Sequence, residues 1–201
     1  MSVLKQAMIQ DTYMQSNLHF DKLYPAQIRS LAARHWTPLP VAHKAAKFLA
    51  ADKNARVLDI GSGVGKFCLA ASSYHKDALF FGVEQRKDMV QYAEQAKSIL
   101  DISNVFFLHS NFTQLDFREY DHFYFYNSFY ENLSGTDKID ESIDYSMQLY
   151  NYYNHFLYKL LDTKPEGTRL ATYHSIEDEV PPSYHVVGTA FDHLLKFWIK
   201  V

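Results

Sequence analysis

A single cysteine, Cys68, stands in this chain of 201 residues, so no internal disulfide can form, and plain core packing suits it better than redox chemistry. No apolar run approaches the roughly 20 residues of a membrane span, and the opening MSVLKQAMIQD has no signal-peptide pattern. Both absences point to a cytoplasmic protein with no membrane partner. Neither sign of charge dominates: a formal net charge of −3 provides no global basic field of the kind that gathers nucleic acid. The ten histidines are scattered, without an H-x-x-x-H or H-E-x-x-H pair and without cysteine partners, which argues against a metal site. Glycine is scarce too, with seven in all, and that scarcity makes a cluster of three informative.

The cluster lies in Arg56 to Lys66, RVLDIGSGVGK. Val57, Leu58 and Ile60 read as a strand buried on both faces, and Gly61, Gly63 and Gly65 as a turn where side chains would obstruct a ligand or where φ must be positive. From Lys66 the pattern turns helical, with Phe67, Ala70, Ala71 and Tyr74 on one stripe. A strand, a glycine turn and a helix N-terminus in succession form either a structural tight turn or a nucleotide-type site at the carboxyl edge of a parallel sheet. The spacing is G-x-G-x-G, not the dinucleotide-binding G-x-G-x-x-G. Asp59, inside the strand end, would repel a pyrophosphate but suit a cationic amine. A dinucleotide-dependent oxidoreductase is therefore disfavoured.

These residues resemble motif I of the class I S-adenosylmethionine (SAM)-dependent methyltransferases. The resemblance implies that Asp59, Gly61, Gly63 and Gly65 hold the methionine part of the cofactor. Ala78 to Val83 reads as a second buried strand, and Glu84 follows nineteen residues after Gly65. A carboxylate there is either a solvated strand-end group or, as motif II implies, the acceptor for both ribose hydroxyls. Asp88 opens a helix running to about Leu100, with Met89, Ala93, Ala96 and Leu100 facing inward. Asn104 to Leu108 is a third strand. In the family, a polar residue beside an aromatic then meets the adenine amino group; here these are Asn111, in place of the commoner Asp, and Phe112.

A second informative stretch is Tyr120 to Tyr130, YDHFYFYNSFY. Phe123 and Phe125 alternate with Tyr124 and Tyr126 in a fourth strand covered on both faces, and the chain breaks at Asn127-Ser128. N-S-F-Y resembles motif IV of amino methyltransferases, which implies that Asn127 orients the target nitrogen and also borders the cofactor, while Phe129 and Tyr130 wall the site. Ser128 and Phe129 replace the family's prolines, which disfavours adenine as substrate. DIGSGVG, GVE and an Asn followed by aromatics are also similar to the non-SET histone-lysine methyltransferases. An Asn that only turns the chain is the plainer alternative.

Residues 1 to about 22 read as a loose polar arm, and Pro25 as the start of a short helix through Ala33. Thr37 and Pro38 suit the N-cap and first residue of an amphipathic helix bearing Val41, Ala45, Phe48 and Leu49; the resemblance alternatively makes Thr37 a cofactor-flanking residue. Glu131 to Asp140 is polar, a candidate lid. Ile143, Met147, Tyr150, Tyr153, Leu157 and Leu160 form one helical stripe. Thr168 to Tyr173 is a fifth strand, and Tyr184 to Ala190 with Leu194 to Lys200 is a hairpin turning at Phe191-Asp192-His193.

The expected fold is α/β: a doubly wound, mostly parallel seven-stranded sheet with a C-terminal antiparallel hairpin. The expected domains are an N-terminal arm and short helix, 1–35, and a SAM-binding methyltransferase domain, 36–201. The function implied is methyl transfer from SAM to a nitrogen nucleophile, a protein lysine or amine or a small molecule. A nucleic-acid base methyltransferase and a non-catalytic SAM-binding protein are the alternatives.

Overall fold

The computed structural model describes residues 3–175 and 179–201, with side chains from residue 8 onward. The first two residues of the expected arm lie outside the described residues. Five parallel strands form in the expected places: β1 (Arg56–Ile60), β2 (Leu79–Glu84), β3 (Val105–His109), β4 (His122–Phe125) and β5 (Arg169–Tyr173). The hairpin β6 (Tyr184–Ala190) and β7 (Leu195–Lys200) joins antiparallel through β7, giving the order β3-β2-β1-β4-β5-β7-β6. The order reverses between β1 and β4, which opens a crevice at their carboxyl ends.

Alternation within the strands feeds two cores. Val57, Phe80 and Tyr124 face one layer, where Tyr124 stacks on Phe67 at 3.9 Å between ring centroids. Leu58, Phe81, Phe123 and Phe125 face the other. The first layer is covered by α5 (Leu39–Leu49), α6 (Lys66–Tyr74) and α7 (Lys87–Leu100), the second by α8 (Met147–Asp162). In α6, Phe67, Ala70 and Ala71 are buried as expected, but Tyr74 is exposed, its ring edge meeting His43.

The N-terminal stretch is not loose. It forms α1 (Val3–Met14) and α2 (Asn17–Asp21), while the expected Pro25 helix is two short turns, α3 (Ala26–Arg29) and α4 (Ala32–His35). Gln10 Nε2 donates to Leu100 O at 2.6 Å, Phe20 and Tyr24 are buried, and Tyr24 donates to Val64 O at 2.9 Å. Two buried aromatics four positions apart anchor the segment, with Tyr13, Met14 and Leu23 packed beside them, and these residues follow no single helical stripe. Each buried ring contributes about 2–3 kcal/mol.

Thr37 does not cap α5. Its hydroxyl shares a hydrogen bond with Tyr124 Oη at 3.0 Å, Pro38 holds the cap position, and the α5 donor at Leu39 N is taken by Asn17 Oδ1 at 2.8 Å. The long helix also starts later than its apolar stripe suggested. Ser146 caps it by accepting from Leu149 N at 3.1 Å, so Ile143 precedes the helix and Met147 is half-exposed.

Candidate active site

A cavity of about 730 Å³ opens at the carboxyl ends of β1, β2 and β4. Of the residues singled out from the sequence, Thr37, Asp59, Gly61, Gly63, Glu84, Phe112, Asn127, Phe129 and Tyr130 line it. Gly65 and Asn111 do not. All three loop glycines have positive φ, yet they serve different ends. A Cβ on Gly61 would strike Ser128 and one on Gly65 would strike Phe107, both at 2.5 Å or less, so packing requires these two glycines; a Cβ on Gly63 would meet nothing within 4 Å. Gly63 alone keeps the loop bare toward open space. Asn111 is saturated locally: its Oδ1 accepts from Thr113 N and Thr113 Oγ1, and its Nδ2 donates to Gln85 Oε1 and Tyr153 Oη. It caps a 3-10 turn that presents Phe112 to the cavity.

Two acids stand at neighbouring strand ends in different surroundings. Asp59, buried, receives the Cys68 thiol at 3.7 Å and has no ion-pair partner among the described residues. Burial, reinforced by the Glu84 charge and partly offset by the Cys68 hydrogen bond, pushes its pKa up to about 8. Such a group favours a cation brought by a ligand. Glu84 is instead already engaged: its Oε2 accepts from Gly63 N at 3.1 Å, and its Oε1 from Arg86 N at 2.9 Å and Arg86 Nη1 at 3.3 Å.

Arg86 was not foreseen. It is buried, and its guanidinium also reaches Glu131 Oε2 at 2.5 Å, Tyr145 Oη at 2.8 Å and Asp140 Oδ1 at 3.4 Å. Burial works against its charge, but the Glu131 and Glu84 carboxylates outweigh it and raise the pKa. The polar stretch after Tyr130 is thereby fastened to the end of β2. Lys66 was also missed as a site residue: it lines the cavity at the first position of α6, 4% exposed, with Nζ 2.7 Å from Asp21 Oδ1. Its place directly behind the glycine turn was the available signal.

Asn127 sits just past β4 in the left-handed region, φ 41°, with its carbonyl accepting from Tyr130 N at 3.0 Å. Its side-chain amide has no hydrogen-bond partner among the described residues and borders the cavity. Phe129 packs on Phe112 at 5.0 Å and on Phe125 at 4.9 Å, forming a firm wall, whereas Tyr130 is half-exposed at the mouth. Asn132 Nδ2 donates to Phe129 O at 3.0 Å and steadies this turn. His35, also on the wall, is held by burial below its ordinary pKa.

Among the described residues, no group of three His, Cys, Asp or Glu side chains could hold a metal ion, and no helix is long and apolar enough to cross a membrane. On one cavity, Asp59 and Glu84 present carboxylates, Phe112 an aromatic ring, and Gly63 open space.

The chain is 37% identical over 70 residues to the release factor glutamine methyltransferase of Buchnera aphidicola subsp. Baizongia pistaciae (strain Bp), a match spanning 35% of this chain and 25% of that protein. It thus spans about a quarter of that curated relative's length. Its fold is similar to an RNA methyltransferase from Salinibacter ruber in complex with S-adenosyl-L-homocysteine (SAH), with TM-score 0.56, 19% identity, and coverage of 82% of this chain and 91% of that one. It is also similar to a SAM-dependent methyltransferase from Aquifex aeolicus, with TM-score 0.56, 17% identity, and coverage of 89% and 99%. Residues 51–186, more than half of the chain, match the family described as a methyltransferase domain. The chain belongs to this methyltransferase-domain family and has the Rossmann-like fold of those solved structures.

Proposed function

We propose that the chain is a SAM-dependent methyltransferase that delivers the methyl group to a nitrogen nucleophile, an amine or amide of a protein or small molecule. The observation that carries this reading is the unpaired side-chain amide of Asn127 on the cavity wall, at the carboxyl end of the strand beside β1. An amide oxygen there accepts a hydrogen bond from a target N–H and turns the nitrogen lone pair toward the cofactor. When bound, the cofactor supplies an electrophilic methyl group on a sulfonium.

The remaining work belongs to this chain's residues. Asp59 takes the ammonium of the methionine part, Glu84 the ribose hydroxyls, and Phe112 one face of the adenine, with Gly61, Gly63 and Thr37 framing the methionine end. Phe129 excludes water and Tyr130 faces the incoming acceptor, so alignment rather than a strong base provides most of the acceleration. We assign catalysis to residues 36–201, with the preceding helices supplying one wall through Arg34 and His35. The name of the matched glutamine methyltransferase supports a nitrogen acceptor, and the acidic charge balance disfavours nucleic acid.

The test is transfer of labelled methyl from SAM to cell extract divided into protein, nucleic-acid and small-molecule pools, with the modified atom identified afterwards. Label on nitrogen in the protein or small-molecule pool is expected. Label on carbon or oxygen, or in nucleic acid, overturns the reading, and SAM binding without transfer to any pool makes the protein a non-catalytic SAM binder. In the same preparation SAM and SAH should raise the melting temperature and NAD should not.

A further inference from the structure

Lys66 is a buried cation with hydrogen-bond donors to spare. The ammonium has three donors. One goes to Asp21 Oδ1 at 2.7 Å, and no second carboxylate pairs with Lys66 among the described residues. The rings of Phe20 and Trp36 lie 5.3 and 5.6 Å from Nζ, adding cation–π attraction without using a donor. Burial pulls the Lys66 pKa down and Asp21 pulls it back up. Both Lys66 and Trp36 line the cavity.

Asp59 presents the opposite imbalance. It is a buried carboxyl group on the same cavity wall, without a cation, and it touches Cys68 two residues along α6 from Lys66. A cation with donors to spare and an acid without a cation, at one end of one cavity, match the two charges of an α-amino acid. We infer that Lys66 binds the α-carboxylate of the cofactor's methionine part, opposite Asp59 at its ammonium. This assignment rests on the SAM-binding reading of the cavity. It also gives the N-terminal helices a task, because Asp21 on α2 and the ligand carboxylate share one ammonium.

The probe pair is SAH and its decarboxylated analogue S-adenosyl-3-thiopropylamine, which keeps the adenosine, the thioether and the amine but lacks the carboxylate. Titration calorimetry on the full chain should show wild type preferring SAH by at least about tenfold, as expected for a charge-assisted hydrogen bond. Lys66→Gln should bring the ratio close to one mainly by weakening SAH, and Lys66→Arg should keep much of the preference. Lys66→Gln strands Asp21, so the double variant Asp21→Asn/Lys66→Gln removes the orphaned charge and guards against misfolding. A folded double variant that retains the wild-type ratio overturns the assignment to Lys66. A wild type that binds neither ligand overturns the SAM-binding reading itself, and the two failures are therefore distinguishable.

Discussion

The two walls of the cavity are held by different means. On the β1–β2 side the backbone does the holding: strands in parallel register end in a turn whose Gly61 N and Ser62 N both donate to Val83 O, at 3.0 and 2.9 Å. On the side running from Asn127 to Tyr145 there is no strand. That side turns on Tyr130 N to Asn127 O, on Thr136 Oγ1 donating to Tyr130 O and Leu133 O, and on one arginine from the opposite wall. A backbone-built wall depends for its shape on its glycines. A wall built from side chains can be altered one contact at a time, and under the proposed function it is the acceptor wall while the other is the cofactor wall.

The sharpest way to break this division is at Asn127. If its amide orients the acceptor, its removal should spare cofactor affinity and cut turnover by about 10²-fold or more, since alignment acts chiefly in the transition state. Asn127→Ala also strains a residue at φ 41°, so Asn127→Gly, which accepts that conformation freely, is the cleaner variant. Calorimetry with SAH and a single-turnover rate decide together. A folded Asn127→Gly enzyme with near-normal turnover returns Asn127 to a turn residue.

Next in size is Glu84 on the cofactor wall. If Glu84 takes the ribose hydroxyls, losing those charge-assisted hydrogen bonds should cost on the order of 2–4 kcal/mol, a weakening of tens-fold or more in SAM affinity. Because Glu84 also accepts from Gly63 N and Arg86, Glu84→Ala should lower the melting temperature too, with Glu84→Gln milder in both respects. Unchanged calorimetric affinity in folded Glu84→Ala would remove Glu84 from the cofactor site.

How much of this was legible follows the same division. The glycine turn, the strand that precedes it and Glu84 could be read because backbone requirements leave local letters: positive φ, a doubly buried strand and a fixed interval. The seven-stranded sheet and its hairpin followed from runs of that kind. Arg86 could not be read, since its meaning lies in Glu131, 45 residues away. Thr37 resembled a cap because the group that actually accepts from the α5 backbone, Asn17 Oδ1, comes from 22 residues before Leu39. The docked N-terminal helices escaped notice because Phe20 and Tyr24 carry their burial in place of a periodic face. Asn111 was placed at the right segment, but side chains around it consume its amide.

Asp59 sharpens the comparison through pH. In the ligand-free protein its pKa of about 8 lies above the ordinary 3.8. The folded state therefore binds the proton more tightly, and this contribution to stability is fully present below about 3.8 and lost as pH rises through about 8. A ligand ammonium reverses the sign by favouring the carboxylate, so binding releases a proton. SAH affinity should rise by up to about tenfold per pH unit between pH 6 and 8, with Cys68 and Glu84 the neighbours that tune the midpoint. Calorimetry in buffers of different ionisation enthalpy measures the proton released. Asp59→Asn should flatten the profile, and an unchanged slope in that variant assigns the linkage to another group.

The smallest effect is expected where the two walls meet, at Arg86. Its bonds to Glu131, Tyr145 and Asp140 fasten the acceptor wall to the end of β2, yet the sheet does not depend on them. Arg86→Gln should leave strand pairing intact and loosen the segment around Gly135, seen as a several-fold faster protease cut between residues 133 and 142 under native conditions. Removing the arginine also frees Glu84 from one donor, so SAH affinity should change only a few-fold, whereas KM for the acceptor should rise more. Arg86→Lys keeps the charge but cannot fork across several partners, and should fall between wild type and Arg86→Gln. Equal cutting rates in all three proteins would mean that the acceptor wall is held by its own turns, and that the arginine serves Glu84 alone.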